Sequence, residues 1–364
     1  DFILDDLKKA TEMLPASYGS REKGRATKGA AYALKSRVEL YDKRYEDVIK
    51  SCAEVYKLGY ELVDGTTPEK YRSIWWTTNK DNKEIIFDIQ YKSPDVYNNM
   101  MVCNMVTYIN DKYGDRGWGG LGPTQELVDA FEMADGSPAT QYSQAPADQV
   151  FDINTCGIYE GREPRFYANI VFHGSQIFFN ADKGAVTVDR YLMDTPDKGD
   201  GSLTGYNVWK WIDYDNYNYP YAGASSPDFS TNWIILRYAE IYLNDAEARL
   251  ETGDVEGARK AVNVIRQRVG LPALTESDPA KLRELIRKER RIEFAFEEQR
   301  FYDVRRWKVG PETQTTLHGV RFVSPTEFKI TKTDTRTWND RLYLTPIPHD
   351  EIVRSSVLTQ NPGY

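Results

Sequence analysis

The sequence predicts a mainly α-helical protein built from tetratricopeptide-like helical hairpins, an α-α superhelix, with an irregular subregion that contains short β-strands. Two stretches, 27–58 and 233–268, predict the hairpins, because apolar residues recur at three- and four-residue spacing around a short polar turn. The region 59–232 instead alternates short apolar runs with long segments rich in Gly, Asn, Asp and Tyr. We therefore expect N-terminal helices in 1–58 and C-terminal helices in 233–364 around this loop-rich middle, packed as one unit.

The chain opens within a predicted helix. Phe2, Ile3 and Leu7 follow the spacing of an amphipathic helix that ends at Leu14, before Pro15. Because this helix starts without a clear capping signal, we expect that further helices lie upstream in the same protein.

The first hairpin begins at Thr27, whose hydroxyl suits a helix N-cap. The polar residues 42–44 form its turn, and the helical period of apolar residues resumes at Tyr45. Ala30 and Ala33 are among the apolar residues that follow the helical spacing of its first helix.

The second hairpin has its first helix predicted over 233–250. Gly253 suits the left-handed position that ends a helix, and Asp254 suits the N-cap of the next one. Residues 45–48 and 255–258 form a weak internal repeat, so we expect the two hairpins to stack as a short solenoid.

The composition excludes several classes of protein. With 364 residues, 40% of them apolar, the chain is long enough to bury a large core. A net charge of -8 argues against nucleic acid as a partner, because phosphate binding is carried by clustered Lys and Arg. No run of eighteen apolar residues is present, so no membrane-spanning helix is predicted.

The spacing of the residues that could bind a metal or attack a substrate gives little indication of a metal site or a catalytic site. The cysteines form no C-x-x-C motif, so no zinc ribbon is predicted, and a disulfide between two of them stays open. Residues 194–201 carry oxygen ligands suited to calcium but lack the alternating carboxylates of a calcium loop. We predict no cofactor, no metal site and no catalytic triad from the isolated side chains Cys52, Cys103, Cys156, His173, His318 and His349.

The irregular region 59–232 holds most of the Tyr and Trp residues. Strand-like runs occur at 84–91 and 167–172, and one helix is predicted from Thr124 to Phe131. Long loops in a folded chain are often functional, and exposed aromatic rings beside amides and carboxylates can stack on sugar rings. Large aromatic residues are also commonly buried, so each ring can instead belong to the core.

We predict a carbohydrate-binding surface from the concentration of rings beside hydrogen-bonding side chains in this region. The predicted stacking faces are Trp75, Trp76, Tyr97, Trp118, Tyr217 and Tyr219. The predicted hydrogen-bonding partners are Asn98, Asp115, Arg116 and Asn218.

Three glutamates recur at four-residue intervals on one predicted helix face: Glu289, Glu293 and Glu297. Such a row can supply catalytic carboxylates, but basic residues are interleaved with it, namely Arg287, Arg290, Arg291 and Arg300. We therefore predict that these glutamates form ion pairs that fix helices.

Several motifs follow one another along the chain: GRATKG at 24–29, GPTQELVDAF at 122–131 with Asp135-Gly136, REPR at 162–165, RYAEIYLNDAEA at 237–248, the charged run 285–307, and the ending 344–364. Together and in this order they resemble the SusD/RagB family of outer-membrane nutrient-binding lipoproteins. The resemblance extends from near the start of the chain to its last residue. One departure is Glu298-Gln299-Arg300, where family members commonly have Glu-Gly before the Arg, so we expect this helix to continue further.

The resemblance implies a non-catalytic protein of a Bacteroidetes bacterium, whose loop-rich middle binds a glycan. It also implies delivery of oligosaccharide to a SusC-like TonB-dependent transporter. Family members carry a lipid anchor on an upstream cysteine, which implies attachment to the extracellular face of the outer membrane. In the ending, Pro346 and Pro348 favour an extended path, and Pro362-Gly363 forms a turn that we expect to dock Tyr364 on the helical body.

Two alternatives stay open. A member of this family can capture peptides instead of sugars, as a RagB-like uptake protein, and its cleft would then offer backbone-like hydrogen-bonding partners. A glycosidase would instead need two carboxylates roughly 5 to 10 Å apart across a cleft.

Overall fold

The computed structural model describes residues 1–92, 95–96, 103–106, 117–178, 185–191, 201–213 and 230–364. Helices form most of 1–58 and of 238–306, as predicted, whereas two strands that were not predicted occupy 316–322 and 327–335. They are α1 (Phe2–Met13), α2 (Lys28–Tyr41), α3 (Tyr45–Val55), α4 (Pro68–Arg72), α5 (Gln125–Val128), α6 (Ile153–Cys156), α7 (Pro164–Asn169), α8 (Tyr238–Glu251), α9 (Val255–Arg268), α10 (Pro279–Glu293), α11 (Gln299–Arg306) and α12 (His349–Arg354).

The strands are short and pair antiparallel in small sheets. They are β1 (Ile85–Ile89), β2 (Phe151–Asp152), β3 (Ile170–Val171), β4 (Gln176–Phe178), β5 (Ala185–Thr187), β6 (Asn207–Val208), β7 (Trp233–Arg237), β8 (Thr316–Phe322) and β9 (Glu327–Thr335). β1 pairs with β7, β3 with β6 and β4 with β5, while β9 lies between β2 and β8. Sheets this small depend on packing against the helices for their stability.

The first hairpin, α2 and α3, is confirmed. The Thr27 hydroxyl accepts a hydrogen bond from the backbone N–H of Ala30, which satisfies one of the free donors at the start of α2. Lys43 in the turn has φ 60°, a left-handed conformation that reverses the chain before α3 begins at Tyr45.

The second hairpin differs from the prediction at its start. Residues Trp233–Arg237 form strand β7 instead of the first turns of a helix, and α8 begins only at Tyr238. These five residues are β-branched, aromatic or long, and they pair with β1, so tertiary pairing overrides the helical spacing. The rest of the hairpin is as predicted, because Asp254 accepts a hydrogen bond from the N–H of Gly257 at the start of α9.

The two hairpins stack on one another, which confirms the predicted short solenoid. One buried cluster contains Ala33, Val48 and Cys52 from the first hairpin together with Ile241 and Ala248 from the second. The small side chains allow the helices to approach closely, and the cluster continues onto β1 and β7.

Two predicted elements of the irregular region are shorter than expected. Pro164 occupies the first turn of α7, a position that favours helix, so only Ile170–Val171 of the predicted strand 167–172 is extended. The predicted helix from Thr124 to Phe131 starts where expected but spans only Gln125–Val128.

The prediction that the helix carrying Glu289 continues through Glu298 is wrong. α10 ends at Glu293, and both Phe296 and Glu298 adopt left-handed backbone angles, with φ 65° and 63°. Left-handed residues interrupt a right-handed helix, so a new helix, α11, begins at Gln299.

A buried network of charges centred on Glu293 joins the helices to the strands. The carboxylate of Glu293 lies 3.0 Å from Arg165 on α7 and 2.6 Å from Arg237 on β7, and it also pairs with Arg268 on α9. Burial alone would raise the pKa of Glu293, but the charges of Arg268, Arg237 and Arg165 outweigh it and hold that pKa well below its ordinary value.

Further buried carboxylates share the same arginines. The prediction that Glu289, Glu293 and Glu297 form ion pairs is confirmed. Most of their partners lie on other helices and strands, because these elements surround the buried face of α10. The ion pairs are Glu84 with Arg237 and Arg268, Glu163 with Arg165, Glu289 with Arg165 and Arg266, and Glu297 with Arg237 and Lys210.

The C-terminal segment follows an extended path from Leu344 to Pro348 before α12. Tyr364 does not dock on the helical body as expected. Its hydroxyl donates to the Leu344 carbonyl at 3.1 Å, and the Arg341 guanidinium lies 5.1 Å from its ring centroid, so the end of the chain folds back on its own last segment.

None of the described helices is both long enough and apolar enough to cross a lipid bilayer. The three cysteines are free thiols, so the disulfide that stayed open is not formed. Residues 194–200 of the possible calcium loop lie outside the described residues.

We predict that Glu293→Gln strongly destabilises the fold, because it removes one charge from a buried network and leaves three arginines without it. The free energy of unfolding, measured by urea denaturation, is expected to fall by about 3 to 5 kcal/mol. Glu160→Gln is the matched control, since Glu160 is exposed and has no ion pair within the described part of the chain. Equal, small losses for both variants would contradict the structural role of the network.

Lys210 is a fully buried member of this network. Its ammonium group lies 2.6 Å from the Glu297 carboxylate and donates a 2.8 Å hydrogen bond to the carbonyl of Glu293. Burial lowers the pKa of Lys210 to about 8, although the charge of Glu297 opposes this shift.

We predict that stability rises with pH as Lys210 titrates. Between its folded-state pKa of about 8 and the ordinary value of 10.5, the unfolded chain binds more protons than the folded one. The free energy of unfolding should therefore increase across this range relative to that of Lys210→Met, by at most about 3 kcal/mol. Urea denaturation of both proteins at several pH values measures this difference, and a difference that is independent of pH would contradict the prediction.

Candidate ligand-binding surface

A buried core cluster draws most of its residues from the irregular region 59–232. Trp75, Met105, Val106, Trp211 and Ile212 are all buried in it. Val106 is the last residue of the described segment 103–106, and Ile212 is the last but one of 201–213. Because both are buried in the cluster, it fixes the ends of these two segments. The cluster is the rigid base from which the predicted surface extends.

Trp75 belongs to this base, so its prediction as a stacking face is corrected. Its side chain is only 5% exposed, and its ring packs against that of Tyr71 with centroids 5.5 Å apart. The Lys210 ammonium lies 4.8 Å from the centroid of the same ring. A ring enclosed in this way cannot also stack on a ligand.

Trp76, the next residue, is only partly buried. Its neighbour Thr77 is fixed by Asp213, whose carboxylate accepts hydrogen bonds from the Thr77 N–H at 2.7 Å and hydroxyl at 2.8 Å. Trp76 therefore lies close to the point where the described segment 201–213 ends.

Trp118 is the predicted ring that the structure exposes most clearly, with 56% of its surface accessible. The chain around it is held rigidly, because Gly119 donates its N–H to the Met105 carbonyl at 3.1 Å and Gly120 to the Cys103 carbonyl at 2.7 Å. Gly117 packs so closely that an added Cβ would lie 2.3 Å from the Met105 oxygen. A fixed backbone thus holds an exposed indole.

Exposed apolar residues accompany Trp118. Leu121 and Leu203 are both exposed. The next residues in the sequence, Gly122 and Thr204, lie against each other, because a Cβ added to Gly122 would lie 2.7 Å from the Thr204 hydroxyl. We call Trp118, Leu121 and Leu203 the Trp118 surface. Sequence reasoning identified only its indole, because the segments that carry the two leucines are brought together by the contact of Gly122 with Thr204, which are far apart in the sequence.

Seven of the predicted ligand contacts lie outside the described residues: Tyr97, Asn98, Asp115, Arg116, Tyr217, Asn218 and Tyr219. Arg116 directly precedes Gly117 in the sequence, next to the fixed backbone of the Trp118 surface.

A cleft that sequence reasoning missed lies between the segment before α2, the end of α3 and strand β1. Its volume is about 310 Å³, and Tyr18, Thr27, Tyr60, Lys80 and Asp88 are among its lining residues. The Thr27 and Tyr60 hydroxyls lie 3.3 Å apart, which gives the cleft a pair of hydrogen-bonding groups. No lining segment is rich in aromatic residues. The available signal was the alternation of Asp88 on β1 and Gln90 just after it with the apolar residues Phe87 and Ile89.

The charged groups of the cleft are already bound to protein. The Asp88 carboxylate accepts a 2.7 Å hydrogen bond from Asn232, and burial raises its pKa. The Lys80 ammonium donates to the Tyr91 carbonyl at 2.8 Å, and burial lowers its pKa. Lys23 and Asp81 pair at 2.6 Å across the rim.

No cluster of three or more metal-ligating side chains occurs within the described ranges. The His318 imidazole instead lies 2.7 Å from the carboxylate of Glu126, and His173 stacks on Phe322 with ring centroids 4.1 Å apart. The contacts of both histidines are therefore those of residues that support the fold.

A stack of helical hairpins that carries an irregular region with an exposed indole defines a helical-repeat scaffold protein. The SusD family model matches residues 83–364, which is most of the chain. This chain belongs to the SusD family.

Solved structures and curated relatives agree with this assignment. A SusD-like protein from Bacteroides fragilis NCTC 9343 is 95% identical, with a TM-score of 0.96, over all of this chain and 70% of its own. A SusD-like carbohydrate-binding protein from the same organism is 25% identical, with a TM-score of 0.76, over 96% of this chain and 68% of its own. SusD-like protein P2 of Formosa agariphila is 36% identical over 154 residues, which span 39% of this chain and 28% of that protein.

We predict that two tryptophan substitutions differ greatly in their effect on stability. Trp75→Ala should lower the free energy of unfolding by about 3 to 5 kcal/mol, because it leaves a cavity in the buried cluster. Trp118→Ala should change it by less than about 0.5 kcal/mol, because the indole is largely exposed. Urea denaturation measures both values, and a large loss for Trp118→Ala would show that this ring supports the fold.

Proposed function

We propose that this protein is a non-catalytic glycan-binding protein of the cell surface, which delivers oligosaccharide to a SusC-like TonB-dependent transporter. The observation that carries the proposal is the exposed Trp118 indole, held on a fixed backbone in a chain of the SusD family. A relative with the same fold, 25% identical, is described as a carbohydrate-binding protein, which supports the same ligand class here.

The Trp118 surface has the chemistry that saccharides require. The flat apolar face of an indole covers the C–H face of a sugar ring, and neighbouring polar groups bond its hydroxyls. Because the backbone at Gly119 and Gly120 is already hydrogen-bonded, binding costs little ordering of the chain. Trp76 adds a second, partly exposed ring to the proposed site. The remaining proposed contacts are Tyr97, Asn98, Asp115, Arg116, Tyr217, Asn218 and Tyr219.

The cleft beside β1 offers a further contact area for the same ligand. The Asn79 N–H donates to the Trp76 carbonyl, and Lys80, the next residue, lines the cleft, so the cleft and Trp76 belong to one stretch of chain. The hydroxyl and amide groups that line the cleft are better suited to hydrogen-bonding the hydroxyls of a saccharide than to binding a single charged group.

The partners of the carboxylates in the cleft favour binding over hydrolysis. A glycosidase needs one carboxyl group as acid and another as nucleophile or base. Three carboxylates line the cleft, and each already has a protein partner: Glu22 pairs with Arg25, Asp81 pairs with Lys23, and Asp88 accepts a hydrogen bond from Asn232.

Delivery to a transporter and attachment to the outer membrane by a lipid anchor are the parts of the proposal that rest on family membership. They place the Trp118 surface outside the cell, where polysaccharide fragments are available. Co-purification of the full-length protein with a TonB-dependent barrel from outer membranes tests this part.

We predict that Trp118→Ala weakens glycan binding on the order of tenfold, because one stacked aromatic face contributes about 1 kcal/mol or more. Isothermal titration calorimetry against a panel of neutral plant and host polysaccharides measures the affinity. Tyr191→Ala is the control, since Tyr191 is also an exposed aromatic residue but lies outside the Trp118 surface.

Absence of binding to every polysaccharide in the panel would contradict the proposal. Peptides of mixed sequence form a second arm of the same titration. Binding of peptides that is weakened by Trp118→Ala, without binding of glycans, would favour peptide capture instead.

A further inference from the structure

A separate basic surface lies where α11 meets the C-terminal segment. Its cations share one property: within the described residues, none has a carboxylate oxygen within the 4.0 Å that defines an ion pair. They are Arg291, Arg300, Arg305, Lys308, Arg336 and Arg341, and we call this group with its neighbouring rings the basic aromatic surface.

These six cations differ from neighbouring arginines on the same helices. The chain carries a net charge of -8, and other arginines of the same helices are paired, such as Arg290 with Asp303 at 2.8 Å and Arg306 with Asp303 at 2.7 Å. The basic aromatic surface is therefore a local excess of positive charge on an acidic protein. Such an excess attracts anions.

The guanidinium groups also repel one another. Burial and then the charge of Arg300 lower the pKa of Arg291 to about 10, and Arg336 acts in the same direction. Burial likewise lowers the pKa of Arg300, with Arg287 and Arg336 acting in the same direction, although the carboxylates of Asp303 and Glu312 oppose this shift. An anion bound between these groups would relieve their repulsion.

Aromatic rings alternate with the cations. The Arg305 guanidinium lies 3.4 Å from the centroid of the Phe301 ring and 5.9 Å from that of Trp338. The Trp338 and Tyr343 rings are 4.9 Å apart, and the Lys308 ammonium lies 4.0 Å over Tyr343.

Part of this ring system is open to solvent. Phe301 is 48% exposed and Tyr302 is 50% exposed, although both lie on α11 beside buried residues. Exposed rings and unpaired cations therefore occur side by side on one surface.

We propose that the basic aromatic surface binds an acidic saccharide, a chain that carries carboxylate or sulfate groups. Guanidinium groups bind carboxylate and sulfate oxygens through paired N–H donors, and aromatic rings cover the apolar faces of the sugar. A lipid headgroup would use the cations but not the rings. The choice of a saccharide rests on the proposed function, whereas the excess charge does not.

The test compares two ligands that differ only in charge. Oligogalacturonate carries carboxylates, and its methyl ester is the matched neutral ligand. We expect calorimetry to detect oligogalacturonate or a sulfated oligosaccharide such as chondroitin sulfate, with binding that weakens as salt is added and on the order of tenfold less binding of the methyl ester.

Arg300→Gln and Lys308→Gln test the location, because both side chains are exposed and unpaired in the described part of the chain. Each is expected to weaken acidic-saccharide binding on the order of tenfold. Lys8→Gln is the matched control, since it removes one exposed positive charge from α1. Circular dichroism melting of each variant checks that the fold is retained.

Failure of this inference is distinguishable from failure of the proposed function. Neutral glycan binding that depends on Trp118, without any binding of either acidic ligand, would overturn the inference alone. Acidic binding that is equally reduced by Lys8→Gln would also overturn it, because the effect would then reflect net charge. Binding to phosphatidylglycerol vesicles without binding to acidic saccharides would assign the surface to lipid instead.

Discussion

The buried carboxylate of Glu293 is the interaction on which the rest of the structure depends. It pairs with arginines from α7, β7 and α9, so one group joins the irregular region, the β1–β7 pair and the second hairpin. A buried charge is costly unless it is paired and hydrogen-bonded. This requirement accounts for the further carboxylates that share the same arginines. The hairpins are thus fixed to the middle of the chain by polar contacts as well as by apolar packing.

The aromatic residues of the irregular region are divided between support and recognition. Trp75 and Trp211 are buried with Met105 and Val106, and they form a rigid base. Trp118 lies on the backbone that this base holds, with its ring outside. A flexible platform would lose entropy on binding, so a rigid base beneath an exposed ring favours affinity without many contacts.

Local signals explain which parts of the fold could be predicted. The first hairpin was predictable because the Thr27 cap, the turn at Lys43 and the apolar spacing all agree with the tertiary structure. The β7 residues were not, because their spacing suits a helix and only their partner β1, far away in the sequence, decides for a strand. Trp75 and Trp118 look alike in sequence for the same reason, since contacts with distant residues determine which one is buried. The cleft could not be predicted from the sequence, because three segments that are far apart along the chain form it.

The backbone pairing beside Trp118 has a consequence for how such proteins diversify. The backbone N–H groups of Gly119 and Gly120 donate to the carbonyls of Met105 and Cys103, so the described segments on either side of 107–116 adjoin. Insertions or deletions between these segments would leave the scaffold in register, because closing a longer excursion costs little free energy. The length of the sequence between Met105 and Gly119 can therefore change among related proteins while the backbone pairing at its two ends stays the same.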